Sequence, residues 1–396
     1  MLNEKIARKI NPKETSNFST EADHLDVLSL IPKKQFTLNA IAPYYTMFPI
    51  QFPLDKLKIA APNDWVLDPF CGRGTTIYAS RLLGLKSIGI DKDPVAVAIT
   101  KAKLIKITPE VIIRECEKIL SNDENFTDNI PKGEFWDLAF DNDTLAQICK
   151  IKESLLNDCK TDARIGLRGI MLGALHGPTG KKIQSYLSNQ MPRTYTTKPG
   201  SAVRYWIKHN YTPKKINVLD IVDKRARRYY EDVPKKVNSQ AYLHDARKIF
   251  PKKFNKKFRW IVTSPPYLGM NNYSTNQWLR EWFVGGDEKP EYAIKNNLAS
   301  GSPKKFEKEL SNVWRNVSLI SDNDAHLVIR FGALPSTPYD FESIIQKSLS
   351  YSGSEWQVEK IESAGSSEDG QRQSNQFLSS VKHSMDEIDV YARKVS

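Results

Sequence analysis

Two short stretches of this 396-residue chain combine residue types that can do chemistry. In "VLDPFCGRGTT" (66–76) an apolar run meets Asp68, and a Gly-x-Gly turn, Gly72 and Gly74, then opens a helical pattern. Glycines there let the backbone approach a ligand closely, and the helix N-terminus offers unpaired N–H groups. A bare Gly-x-Gly also serves as a plain strand-to-helix turn, so the acids around it matter. The next strand-like run, "IGID", ends on Asp91, placed to accept hydrogen bonds from a ribose diol, and "AYLHDA" carries Asp245. Three neighbouring parallel strands ending in acids would line one crevice. The spacing after Gly74 is short for a dinucleotide fingerprint and lacks a third glycine, which favours an adenosyl ligand without a pyrophosphate. The second stretch is "TSPPY" (263–267), directly after the apolar "WIV". Two prolines fix φ and remove donors, so a buried strand stops in a rigid turn beside an aromatic ring.

Elements that position these groups fall into two blocks. "DWVLDPF" (64–70) and "KSIGIDKD" (86–93) read as strands, and "GTTIYASRLLG" (74–84) and "PVAVAITKAKLI" (94–105) as helices, the latter with Pro94 in its first turn. This βαβα unit implies a parallel sheet with right-handed crossovers. The second block holds "SQAYLHDARKIF", "FRWIVTSPPY" and "DAHLVIRFG", then "SEWQVEKIESAG" and "EIDVYARK", the last two joined as an antiparallel edge hairpin. The expected fold is therefore α/β, a doubly wound, mostly parallel seven-stranded sheet of Rossmann-like type. Residues 1–39 read as a polar N-terminal arm and 40–109 as the cofactor-binding half. Residues 110–235 read as a largely helical insertion, and 236–396 as the catalytic half.

The bulk numbers exclude several classes. With 40% hydrophobic and 26% charged residues and no apolar run of membrane-spanning length, the chain reads as soluble and intracellular. The four cysteines have neither metal-ligand nor disulfide-framework spacing, so a reduced protein without a metal is expected. The formal charge is +12, with cations gathered in "TPKK" (212–215), "DKRARRYY" (223–230) and "PKKFNKKFRW" (251–260). Clustered cations beside aromatics suit a polyanion, and a solvated basic face would look the same.

Taken together, "DPFCGRGTT", "IGIDKDP" and "TSPPY" resemble the amino-methyltransferase family of DNA methyltransferases. The resemblance covers most of 40–109 and 240–396 and omits the insertion. "YYTMFPIQFPLDKLKIA" (44–60) looks like the family's N-terminal cofactor helix, which closes over the methionine end. What the resemblance implies is transfer of a methyl group from S-adenosylmethionine to an exocyclic base nitrogen. The loop with Asp68, Pro69, Phe70, Gly72, Gly74 and Thr75 would cradle the methionine part, Asp91 would hold the ribose hydroxyls, and Asp245 would face the adenine amino group. A cap on the turn before "ARKIF" is the plain alternative for Asp245. The nitrogen lone pair of such an amine is delocalised into the ring, so acceptors on its N–H groups must draw it toward tetrahedral geometry. In Ser264, Pro265, Pro266 and Tyr267 the acceptors would be the Ser264 hydroxyl and the Pro265 carbonyl, with the Tyr267 ring stacked on a base flipped from the duplex. Ser at the first position usually accompanies cytosine N4 in this family. Cys71, inside the loop, reads as a small packing residue.

The order of cofactor loop, insertion and catalytic turn resembles the family's α-type arrangement. The insertion is then the target-recognition candidate for double-stranded DNA, with Arg193, Lys198, Arg204, Lys214, Lys215, Arg225, Arg227 and Arg228 as contacts, mostly to phosphates. "LGMNNYSTNQWLREWFVGG" (268–286) is a second candidate, although "QWLREWF" also reads as an amphipathic helix packed on the sheet. Arg372, in the loop 365–377, is another possible backbone contact. The expected function is a site-specific cytosine-N4 DNA methyltransferase of a prokaryotic cytoplasm, paired with a restriction endonuclease. Adenine-N6 methylation of DNA, amino methylation of RNA, and a non-enzymatic nucleic-acid-binding protein are the alternatives.

Overall fold

A computed structural model describes residues 27–44, 48–122, 129–177, 184–189, 198–250, 254, 256–268, 273–292, 298, 302–332, 339–351, 353, 355–366 and 386–395. Arg193 and Arg372 lie outside them. Seven strands form one sheet: β1 (Trp65–Asp68), β2 (Lys86–Asp91), β3 (Ser239–Leu243), β4 (Phe258–Thr263), β5 (Ser321–Gly332), β6 (Trp356–Ser366) and β7 (Asp386–Lys394). Their order is β3-β2-β1-β4-β5-β7-β6. Strands β1 to β5 pair in parallel, and β7 runs antiparallel to both β5 and β6. The doubly wound sheet and its edge hairpin match the expectation from sequence.

Alternation along the strands divides the interior into two cores. Val66, Trp260, Val262 and Val328 face one side, and Leu67, Ile261, Leu327 and Ile329 the other. A strand buried on both faces needs such unbroken apolar runs, which is how β1, β4 and β5 read in the sequence. The second core is covered by α11 (Pro303–Leu319) and α12 (Phe341–Ser350), through Leu310, Trp314 and Ile345 among others.

The first core is larger. It holds α1 (Gln51–Leu57), α2 (Thr75–Leu82), α3 (Pro94–Ala102) and the helices of the insertion in one continuous cluster. Those are α4 (Pro109–Ser121), α5 (Glu134–Ala139), α6 (Asn142–Asn157), α7 (Asp162–Ala174), α8 (Pro199–Lys208) and α9 (Val218–Tyr230). The insertion is helical as expected, but it has no separate core. Helix α7 presses on α3 so closely that a Cβ at Gly169 would come within 2.3 Å of Ala102. Helix α10 (Tyr273–Phe283), after the Ser-Pro-Pro-Tyr turn, joins the same core. Its Trp282 lies 4.7 Å from the Trp136 ring and its Trp278 5.0 Å from Phe135. The amphipathic-helix reading of "QWLREWF" therefore holds, since Trp278 and Phe283 are both buried.

Part of the stretch read as a polar arm is ordered against the sheet domain. Residues Lys33–Ala40 form a 3-10 helix in which Leu38 and Asn39 are buried, and Asn39 Oδ1 accepts from the buried Lys103 Nζ at 2.9 Å. Among the described residues no helix is long and apolar enough to cross a membrane.

Candidate active site at the carboxyl edge of the sheet

The loops that leave β1, β2, β3 and β4 all emerge at one edge, and the chemistry-bearing residues gather there. After β1 the chain turns through Gly72 (φ +49°) and Gly74 (φ +77°), both in the left-handed region that favours glycine. Gly74 is doubly constrained, because a Cβ there would lie 2.6 Å from the Thr100 side chain on α3. A Cβ at Gly72 would point to the Tyr44 ring at 3.5 Å. The loop is pinned to β2 by its own amides, with Cys71 N–H donating to the Ile90 carbonyl and Gly72 N–H to Asp91 Oδ2 at 2.8 Å. Asp91 Oδ1 accepts from the Asp93 amide at 2.9 Å. Each Asp91 oxygen therefore keeps one lone pair for a ligand hydroxyl. Burial, and then the neighbouring Asp93 charge, raise the Asp91 carboxyl to about 7.

Asp68 is fully buried at the end of β1. Its Oδ1 accepts from the Phe70 amide at 3.1 Å and from the Thr263 hydroxyl at 2.6 Å. Thr263 is the last residue of β4, immediately before the Ser-Pro-Pro-Tyr turn. One hydrogen bond thus joins the glycine loop to the turn across paired strands. The other oxygen, Oδ2, is buried without a hydrogen-bond partner, as is the Thr76 hydroxyl at the start of α2. Burial raises the Asp68 carboxyl to about 6 even though Thr263, the Thr76 hydroxyl (close by but outside bonding geometry) and the Phe70 amide hold it down. An unpartnered buried carboxylate oxygen is costly unless a donor or cation meets it. Pro69 and Thr75 are buried beside it, and the half-buried Phe70 ring stands edge-on to Trp314 at 6.4 Å.

Cys71 is buried, with its sulfur 3.0 Å from where a Cβ on Gly89 would stand. Burial and the Asp91 charge push its thiol well above the ordinary range, which suits packing and not a nucleophile.

The turn itself places Ser264 half-buried, Pro265 buried, Pro266 half-buried and Tyr267 buried. Tyr267 does not present an open ring. Its residue is 6% exposed, its edge meets Phe331 at 5.5 Å and 81°, and its hydroxyl donates to Glu387 Oε1 at 3.0 Å. The expected stacking face is therefore covered in this arrangement.

Asp245 lies two residues past β3, but its carboxylate is engaged. Arg247 donates from Nε and Nη2 at 3.0 and 2.7 Å and from its amide at 3.0 Å, and Arg247 in turn reaches Glu309 at 2.9 Å. Burial works to raise the Asp245 carboxyl, and the Arg247 bonds win, holding it below its ordinary value. The plain alternative is close to what is found: the acid caps a turn and forms an ion pair.

The candidate DNA contacts separate into three kinds. Arg225 is a correction. It is 5% exposed, and its guanidinium donates to the Ile41 and Ser185 carbonyls at 2.9 and 3.2 Å, so it ties α9 to the chain before α1. Lys215 and Arg227 are exposed but ion-paired, the first with Asp143 and the second with Glu110 and Asp223. Lys198, Arg204, Lys214 and Arg228 are exposed. They lie on or beside α8 and α9.

Sequence reasoning missed four supporting residues. Thr263 stood in plain view beside the turn. Tyr44 donates to Asp93 Oδ2 at 2.7 Å and closes over Gly72. Thr100 shapes the space at Gly74, and Glu387 holds Tyr267. Only the first had a local signal.

Residues 7–102 match the model of a DNA methylase family. A stretch of 58 residues is 40% identical to the type II methyltransferase M2.LlaDCHI of Lactococcus lactis subsp. cremoris, which is 14% of this chain and 22% of that protein. The chain thus matches about a fifth of the length of that curated relative. Among solved structures, the rRNA methyltransferase AviRa of Streptomyces viridochromogenes aligns with 94% of each chain at 11% identity and a TM-score of 0.35. TehB of Haemophilus influenzae aligns over 91% of this chain and 67% of that one, at 11% identity and a TM-score of 0.32. Likenesses of that size say nothing about substrate, and the sheet order stands on its own pairing registers.

Proposed function

We propose that this chain is a DNA amino-methyltransferase that uses S-adenosylmethionine and modifies the N4 amine of cytosine in duplex DNA. The observation that carries the reading is the Asp68–Thr263 hydrogen bond, which sets an acidic glycine loop directly against a Ser-Pro-Pro-Tyr turn. The match of residues 7–102 to a DNA methylase family supports the DNA amino-methyltransferase part of this reading, and the choice of cytosine N4 rests on Ser264 alone. The loop suits the cofactor on chemical grounds. Its unpartnered Asp68 Oδ2 can receive an ammonium, Asp91 has lone pairs for a diol, and Gly72 and Gly74 keep the backbone bare where a ligand would lie. When bound, S-adenosylmethionine supplies the electrophilic sulfonium methyl.

The chain's own task is orientation. The Ser264 hydroxyl and the Pro265 carbonyl accept the two N–H bonds of the target amine and localise its lone pair. Two prolines hold that carbonyl without adding a competing donor. Stacking on the Tyr267 ring requires one of its faces to be opened while the hydroxyl bond to Glu387 and the Phe331 contact are kept, and base flipping is the step that brings a base there. The exposed Lys198, Arg204, Lys214 and Arg228 bind phosphates and hold the duplex in register. A companion restriction endonuclease belongs to the same reading.

The test is incubation with labelled S-adenosylmethionine and separate DNA and RNA substrates, followed by mass spectrometry of the nucleosides. N4-methylcytosine from DNA is the expected product. N6-methyladenine, a methylated RNA base, or cofactor binding without transfer would each replace this reading with the corresponding alternative.

A further inference from the structure

We propose that Glu387 is a positioning residue for the Ser-Pro-Pro-Tyr turn, holding the axis of the Tyr267 ring through its hydroxyl; this rests on the methyltransferase reading above. Tyr267 and Glu387 are 6% and 7% exposed, so their 3.0 Å hydrogen bond is shielded from water. Glu387 stands on β7 directly across from Gly332 at the end of β5, and strand pairing fixes its backbone. The Tyr267 hydroxyl lies on the axis about which the ring rotates. A bond there fixes where the ring points, and the Phe331 edge contact fixes its plane.

The strand that carries the acceptor is itself supported. Arg330, on β5, stands directly across from Asp389 on β7. Arg330 is held in turn by a two-pronged pair with Asp389, at 2.8 and 2.9 Å, two residues along β7 from Glu387. Beneath it lies the Phe52 ring of α1, 3.9 Å from the guanidinium carbon. Lys56, one turn further along α1, approaches Asp389 at 3.8 Å and bonds the Tyr391 hydroxyl. The chain of contacts thus runs from Tyr267 through the reversed hairpin to α1, the helix within the stretch whose sequence resembles a cofactor-closing segment. A ring anchored this way leaves the Ser264 and Pro265 acceptors in one place relative to the incoming amine, and small displacements there cost rate steeply.

The experiment measures methyl transfer from labelled S-adenosylmethionine to amplified, hence unmethylated, duplex DNA of mixed sequence. Glu387→Ala should lower kcat by about tenfold and leave KM for the cofactor within about twofold. Glu387→Gln keeps an acceptor and should stay within about threefold of the native rate. Tyr267→Phe should match Glu387→Ala, and the double variant should be no slower than either single one. A Gln variant as slow as Ala, a loss confined to KM, or multiplicative losses in the double variant would overturn the proposal. A second readout does not depend on turnover: with 13C-labelled tyrosine, the signal absent from Tyr267→Phe should shift in Glu387→Ala and hold in Glu387→Gln. If the native protein transfers no methyl group to DNA, the DNA-methyltransferase reading falls. An unmoved Tyr267 signal in Glu387→Ala would instead defeat the positioning role.

Discussion

The glycine loop after β1 and the Ser-Pro-Pro-Tyr turn after β4 leave the same sheet edge and touch through Asp68 and Thr263, yet they are held by opposite means. The loop is built from backbone. Left-handed glycines make its bend, and its amides donate to Asp91 and to the end of β2, within about one helical crossover of sequence. The turn has rigid prolines, but its aromatic member takes its place from Phe331 and Glu387, 120 positions away in the case of Glu387. Backbone devices are local and tolerate few residue types. Side-chain anchors depend on which distant strand arrives next, so they leave no local mark.

Changes on the backbone side should break the contrast most severely. Gly74→Ala combines a left-handed φ with a Cβ 2.6 Å from Thr100, and should cost about 3 kcal/mol in denaturant unfolding together with cofactor binding by calorimetry. A loss below about 1 kcal/mol would mean that the loop is not set by its backbone.

Next in size, Arg225→Ala carries the contrast into the insertion. It should destabilise the protein by about 2 kcal/mol, because two carbonyls lose a buried donor, while native-state DNA affinity stays within about twofold. A large drop in affinity at unchanged stability would return Arg225 to the DNA-contacting set.

Asp68→Asn sharpens the difference between holding the fold and serving a ligand. The folded carboxyl sits near 6, above its ordinary 3.8, so protonation favours folding. That contribution is complete below about pH 4 and disappears as pH rises through about 6. Removing the charge should therefore stabilise the ligand-free protein by about 1–2 kcal/mol at pH 8 and hardly at all at pH 4, read from unfolding midpoints. Cofactor affinity at pH 8 should fall at least about tenfold, since the ammonium loses its partner. Equal midpoint changes at both pH values would show that the carboxyl is not perturbed as described.

The smallest effects belong to the exposed cations. Lys214→Ala or Arg228→Ala should weaken duplex binding by about two- to threefold and flatten its salt dependence, with stability unchanged. Salt-independent binding in both variants and the native protein would remove the phosphate-contact role.

The distinction between local and distant causes also explains what could be read in advance. The runs that became β1, β4 and β5 are apolar on both faces, and Pro94 stands in the first turn of α3 with Asp93 capping it; both signals depend only on neighbours in sequence. The helices of the insertion showed their periodicity equally well. Their merger with the sheet core did not show, because an amphipathic face does not say which apolar surface it will meet. Lys33–Ala40 is polar in composition yet buries Leu38 and Asn39, since Lys103 and Tyr78 offer it partners inside. Arg225 and Arg227 lie two residues apart in one basic run, and the helix turns one into the core and the other to solvent.

What the sequence by itself determined is the order of strands and helices, the two glycine positions, and the types of group available at the sheet edge. Those follow from steric limits on φ and from patterns of two and 3.6 residues, which act over a few positions. Only the tertiary structure decided that Asp68 bonds Thr263, that Asp245 is bound to Arg247, and that Tyr267 is anchored by Glu387. Each is a pairing of polar groups brought together by strand order or a turn, and its strength comes from burial that exists only after the chain has closed around it.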